Sequence, residues 1–180
     1  MPFGVLLNVE IIGDFAMKYN VQMDIKDYGT IKLELDSDAA PITVENFVSL
    51  VKDGFYDGLT FHRIIEGFMI QGGDPRGNGT GGSANNIKGE FRVNGVHNPI
   101  SHVRGAISMA RAMDYNSASS QFFIVHEDSQ FLDGQYAAFG MVTEGIEVVD
   151  KIAETARPID GNGSIMRADQ PVMERVFMLD

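Results

Sequence analysis

The sequence contains no cysteine and no tryptophan, and only 6 prolines against 20 glycines. Without cysteine there is no disulfide framework, no thiol nucleophile and no thiolate metal site, and a reducing compartment such as the cytoplasm is the expected setting. Positive charge is scarce as well: 14 Lys and Arg stand against 25 Asp and Glu, for a net charge of −11. Phosphate backbones are bound by cationic faces, so nucleic acid is not an expected partner. No apolar run approaches the roughly 20 residues that cross a bilayer as a helix, and no membrane association is expected.

Histidine is sparse too. His62, His97, His102 and His126 show neither HxxxH nor HExxH spacing, so no catalytic metal is expected. The serines of "NSASSQ" lack the G-x-S-x-G elbow of a hydrolase. "GNGTGG" at Gly77–Gly82 contains a formal GxGxxG, but the "SANNIKGEF" that follows is no helix. A glycine loop needing positive φ is the better reading than a dinucleotide fingerprint.

What is present is a hydrophobic fraction of 44% in 180 residues, enough for a single domain with its own core. Residues 1–18 read as an N-terminal extension without an assigned role. No Lys or Arg precedes its apolar part, and Asn8 and Glu10 interrupt that part, which argues against a cleaved signal. Met17-Lys18 also leaves room for an upstream start. From residue 19 to 180 the pattern is that of one folded unit.

Val21, Met23 and Ile25 alternate with polar residues, "DYGT" turns the chain, and Ile31, Leu33 and Leu35 alternate again. This is a β-hairpin with one buried face. In "APITVENFVSLVKDGF" the period changes. Val44, Phe47, Val48 and Val51 form a helical stripe, with Pro41 at its start and Gly54 past its end. "GIEVVDKIAETA" predicts a second helix whose face is Ile146, Val149, Ile152 and Ala153. The runs "TFHRII", "FMIQG", "GAISMA", "QFFIVH", "AAFGMV" and "VMERVFML" read as short strands. Together these predict a mainly β fold: a closed antiparallel barrel capped by two α-helices, closure removing the exposed edges. A monomer is the default for such a unit.

The stretch "GLTFHRIIEGFMIQGGDP" poses the functional question, because Arg63 sits within an apolar strand. In a strand His62 and Arg63 point to opposite faces, so they do not act as a pair. His62 reads as a structural, hydrogen-bonded histidine. A surface ion pair would be the plain explanation for Arg63 alone. The neighbouring strands argue otherwise. If Ile70, Phe122 and Ile124 fill the barrel, then Met69, Gln71, Gln121 and Phe123 lie outside it. Apolar groups beside two amides on an outer face suit a shallow groove with a few placed polar groups.

"FHRIIEGFMIQGGDP", "GNGTGG", "GAISMARA", "SQFFIVH" and "FLDG", in this order, resemble a cyclophilin-type peptidyl-prolyl cis-trans isomerase of the compact bacterial kind. The resemblance runs from about Tyr19 to Asp180. It implies an eight-stranded barrel capped by two helices, with the active site in an outer groove. It also implies an enzyme that rotates Xaa–Pro bonds in unfolded or flexible segments and so assists folding, without a cofactor. Its ligands would be proline-containing peptides and folding proteins. By position, the resemblance makes Arg63 the catalytic arginine and Gln71 its polar partner. It makes Phe68, Met69, Phe123 and Leu132 the walls of a proline pocket. Ala110 and Arg111 would supply backbone to the substrate, and Gln121 would face a neighbouring specificity pocket.

Four positions depart from the family's pattern. Phe131 replaces a frequent Trp, Tyr136 a frequent pocket His, Glu66 the usual Pro and Arg111 a frequent Asn. Phe131 has no indole N–H, so the macrocycle cyclosporin A is expected to bind weakly. A domain that only binds proline peptides, without turnover, is the rival expectation.

Overall fold

The computed structural model of the protein describes residues 17–179. The extension expected over residues 1–18 lies, for residues 1–16, outside the described residues. The first strand, β1 (Lys18–Ile25), forms the expected hairpin with β2 (Gly29–Asp36), pairing Val21 with Leu33 and Met23 with Ile31. The alternation works as read: Val21, Met23, Ile25, Ile31, Leu33 and Leu35 are all buried.

Helix α1 spans Pro41–Lys52, with proline at its start and Gly54 beyond its end at φ +70°. Its buried stripe includes Val44, Phe47, Val48 and Val51. The buried Glu90 carboxylate accepts from the Thr43 backbone N–H at 2.6 Å and from its hydroxyl at 2.7 Å. An anion there satisfies an orphan donor and suits the positive end of the helix dipole. Helix α2 spans Ile146–Thr155 and buries Val148, Val149, Ile152 and Ala153. Ile146, expected on that face, is only partly buried, because it opens the helix at the edge of the core.

The remaining strands are β3 (Phe61–Ile65), β4 (Met69–Gly72), β5 (Ala106–Met109), β6 (Phe122–Val125), β7 (Ala138–Glu144) and β8 (Met173–Leu179). They form one eight-stranded antiparallel sheet in the order β3-β4-β6-β5-β7-β2-β1-β8. The closed barrel expected from the sequence is corrected here: the sheet is an open half-barrel, with β3 and β8 at its ends. Between those ends stands a bridge from Thr60 to Val172, with scattered bonds such as Phe61 N–H to the Pro171 carbonyl at 3.0 Å. Pro171 has no N–H to extend a ladder, and the chain before it is irregular.

The inner face of the curled sheet and the two helices enclose the main core. Phe122 lies near its centre, edge-on to Phe47, Tyr56 and Phe61 at centroid distances of 5.6, 5.5 and 6.0 Å. A second, smaller cluster lies on the sheet's outer face and contains Met69, Ala106, Phe123, Val125 and Leu132. The division follows the pleat: Ile70, Phe122 and Ile124 belong to the main core, and their neighbours Met69 and Phe123 to the outer cluster. His62 is buried as expected, but its Nδ1 has no hydrogen-bond partner, so the expected bond is not formed there.

Candidate active site

Register carries the site. Arg63 on β3 pairs with Gln71 on β4, Gln71 with Phe123 on β6, and Phe123 with Ser108 on β5. Residues directly opposite in a sheet share a face, so this row crosses four strands on the outer side. Arg63 Nη1 donates to Gln71 Oε1 at 3.1 Å, and Gln71 Nε2 donates to Gln121 Oε1 at 3.1 Å. Gln121 Nε2 in turn donates to the carbonyls of Gly79 at 3.1 Å and Gly81 at 2.8 Å. The amide relay thus joins the cation to the glycine loop. That loop is itself organised by Asp74, whose carboxylate accepts from the N–H groups of Arg76, Asn78 and Gly79 at 2.8, 3.2 and 2.7 Å.

The other side of Arg63 is held by a residue that sequence reasoning missed. Its Nε donates to the Asn162 carbonyl at 2.7 Å. Asn162 belongs to the turn "DGNGS", in which Asp160 Oδ1 accepts from the N–H groups of Asn162 and Ser164, both at 3.0 Å. Gly163 completes the turn at φ +83°, where a Cβ would lie 2.7 Å from the Ile64 carbonyl. The turn chemistry was visible in the sequence, but nothing there linked it to Arg63. Burial pulls the guanidinium below the ordinary arginine range, and Tyr136 and Asp160 oppose that shift. An arginine nevertheless stays protonated in a protein.

Nine of the expected residues converge on one open pocket of about 140 Å³: Arg63, Phe68, Met69, Gln71, Ala110, Arg111, Phe123, Leu132 and Tyr136. Gln121 lines an adjoining pocket of about 340 Å³ that shares Gln71, Ala110 and Arg111 with the first. Phe131 does not line either; it is 68% exposed and packs on Phe68 with ring centroids 5.5 Å apart. Two of the departures from the family pattern touch each other. The Arg111 guanidinium lies 4.6 Å from the Tyr136 ring centre, and Tyr136 stands edge-on to Phe123 at 6.0 Å.

Behind Phe123 lies a second unforeseen arrangement. The His102 ring stacks on Phe123 at 5.9 Å, with Nε2 2.8 Å from Ser108 Oγ and Nδ1 2.7 Å from Asp133 Oδ1. Ser108 is fully buried, so this serine–histidine–aspartate chain supports the pocket wall rather than meeting a substrate. Among the described residues no three His, Asp or Glu side chains are grouped to hold a metal ion. Among them, too, no helix is long and apolar enough to cross a membrane.

An arginine fixed from two sides beside a small pocket walled by Phe68, Met69, Phe123 and Leu132 offers hydrogen bonding and charge without a nucleophile. Comparison with known proteins agrees with that chemistry. Residues 20–175 match the family described as cyclophilin type peptidyl-prolyl cis-trans isomerase. A peptidyl-prolyl cis-trans isomerase of Helicobacter pylori is 50% identical over 128 residues, covering 70% of this chain and 76% of that protein. Peptidyl-prolyl cis-trans isomerase B of Bacillus subtilis is 46% identical over 143 residues, covering 79% and 91%. A crystal structure of a Cryptosporidium parvum cyclophilin type isomerase superposes with a TM-score of 0.80 at 29% identity, covering 91% of this chain and 99% of that one. The same protein was also solved in the presence of the dipeptide Ala-Pro. The chain belongs to the cyclophilin-type peptidyl-prolyl cis-trans isomerase family. It is an isomerase of Xaa–Pro peptide bonds, an activity that assists protein folding.

Proposed function

We propose that Arg63 is the group that lowers the rotational barrier and that the 140 Å³ pocket holds the proline ring. The barrier, roughly 18–20 kcal/mol, comes from amide resonance. At its top the prolyl nitrogen has lost conjugation and carries a basic lone pair. A guanidinium aimed at that lone pair stabilises the twisted amide more than the planar one, which is what accelerates the step. Arg63 already donates to Gln71 and Asn162, so its direction is fixed before a peptide arrives. Removing about 7 kcal/mol would shorten ~100 s to about a millisecond.

The pocket is smaller than the ~300–1,000 Å³ of drug-sized ligand sites, which suits a single ring. Phe68, Met69, Phe123 and Leu132 wall it, while Gln71 orients Arg63. The Ala110 N–H is taken by the Gln121 carbonyl at 3.0 Å, which leaves the Arg111 side of the strand for a peptide backbone. The Ala-Pro dipeptide used with the Cryptosporidium parvum relative supports proline-containing peptides and folding proteins as ligands. Cyclosporin A is a weak ligand in this reading. We read residues 19–180 as the isomerase domain, acting as a monomer, with the cysteine-free composition supporting a cytoplasmic setting.

The observation that carries the proposal is the convergence of a doubly anchored Arg63 with four apolar walls. Two-dimensional exchange NMR on a short Xaa–Pro peptide tests it. Exchange cross-peaks with the wild type and their loss with Arg63→Ala are expected. Peptide shift changes without exchange would mean a proline-binding module, and unimpaired exchange with Arg63→Ala would end the mechanism.

A further inference from the structure

Arg111 is held in an unusual way for a surface cation. Its guanidinium lies 5.1 Å from the ring centres of Phe91 and Tyr115 and 4.6 Å from that of Tyr136. All its hydrogen bonds go to backbone carbonyls. Nε and Nη2 donate to Gln135 at 3.1 and 2.8 Å, and Nη1 donates to Ala112 at 3.0 Å and Met113 at 3.4 Å. Aromatic faces and neutral carbonyls restrain a guanidinium without cancelling its charge. Among the described residues Arg111 has no carboxylate partner. The nearest acid in sequence, Asp114, accepts instead from the Asn116 N–H at 2.8 Å.

The position of this cation matters. Arg111 lines both the proline pocket and the adjoining 340 Å³ pocket, and neither is lined by any Asp or Glu. That is notable in a chain where 25 acids outnumber 14 bases. The two pockets adjoin through their shared residues Gln71, Ala110 and Arg111, so an extended peptide with its proline in the first, advancing about 3.3 Å per residue, places neighbouring residues at the second.

We infer that Arg111 is a specificity-determining residue: it favours client segments carrying an aspartate or glutamate within two residues of the proline. This rests on the assignment of the smaller pocket to the proline ring. The anion enters the wider pocket and meets a cation already immobilised, so little side-chain freedom is lost on pairing. The protein's overall charge acts in the opposite direction. A net −11 repels an acidic peptide at long range, but at about 0.15 M salt the screening length is ~8 Å and the local pair dominates. A preference for acid therefore cannot come from the general field of the molecule.

The test is kcat/KM for proline peptides in which each position within two residues of the proline is Glu, Gln or Lys in turn. At one position at least, the wild type is expected to favour Glu over Lys by roughly threefold to fivefold, the size of an exposed ion pair. Arg111→Gln should bring that ratio to about one, whatever it does to the Gln peptide. A merely structural Arg111 would lower all three peptides together and leave the ratio unchanged. Equal rates for Glu and Lys at every position in the wild type, or a ratio that survives Arg111→Gln, would overturn the inference. Absence of any acceleration of the Gln peptides by wild type would instead refute the isomerase site itself.

Discussion

Arg63 and Gln71 are register partners on adjacent strands, and the guanidinium donates to the amide oxygen at 3.1 Å. The same amide passes its own N–H to Gln121, so the direction of the cation and the position of the glycine loop are set together. Gln71→Leu should therefore lower kcat by about tenfold, the cost of one charge-assisted bond, with a smaller change in KM. Arg63→Ala should cost roughly 10²–10³-fold, like removal of a transition-state donor elsewhere. Steady-state kinetics at saturating peptide separates the two. A Gln71→Leu enzyme with normal kcat would show that Asn162 alone suffices to aim Arg63.

Phe131 stands exposed on Phe68 at the rim of the groove and has no polar hydrogen to offer. Phe131→Trp should tighten cyclosporin A binding by about tenfold, as expected for one added hydrogen bond plus aromatic area. Isothermal titration of both proteins decides it, and equal affinities would show that the indole N–H is not used.

Phe122 is fully buried among Phe47, Tyr56 and Phe61. Phe122→Ala should destabilise the fold by about 3–5 kcal/mol through lost burial and a residual cavity. Urea unfolding measures this. A loss below about 1 kcal/mol would mean that the core collapses onto the gap.

Acid should weaken the fold in two stages. Burial lowers both His62 and His102 below the ordinary histidine range, opposed at His62 by Asp74 and at His102 by Asp133. The unfolded chain takes up protons at these rings below about pH 6.5 while the native one resists, so stability present above that value declines as pH falls. Asp74 and Asp133 add a second stage. Burial would raise both carboxyls, but backbone N–H donors at Asp74 and the Ser101 hydroxyl with the His102 N–H at Asp133 hold them low. Their contribution is lost below about pH 4. Urea midpoints should fall between about pH 7 and pH 5, and less steeply in His102→Gln. A flat wild-type profile would refute the assignment.

Most of the architecture was legible because it follows periodicity. The hairpin at Val21–Leu35, the stripe of α1 and the split between Ile70, Phe122 and Ile124 inside and Met69 and Phe123 outside all derive from side-chain direction. The three-residue 3-10 turns at Arg92–Asn94, Gln130–Leu132 and Arg167–Asp169 are too short to show a period. Closure was misjudged because strand patterns do not reveal whether the last pair of edges meets; that depended on Pro171 and the irregular chain before it. At the site, motif order pointed to the groove residues, but three supports were invisible. Asn162 acts through its carbonyl, which every residue has. Gln121 holds the glycine loop across 40 positions or more of chain. His102 meets Asp133 across 31 positions of chain, which local spacing cannot express, and its bond to Ser108, only six positions on, follows from the turn between them rather than from any strand or helix period.

The open seam of the sheet has a bearing on how such a protein can change. Arg63 lies on the terminal strand of the sheet, and beyond it stands the Asp160–Ser164 turn, bridged to Arg63 through Ser164. The Arg63 guanidinium therefore leans on a surface turn whose residues line neither pocket of the groove. Insertions or exchanges in that turn would shift the aim of Arg63 while Phe68, Met69, Phe123 and Leu132, which it does not support, keep the pocket's shape. On the role proposed for Arg63, its aim can thus be adjusted from this turn as well as from the glycine loop at the far end of the amide relay.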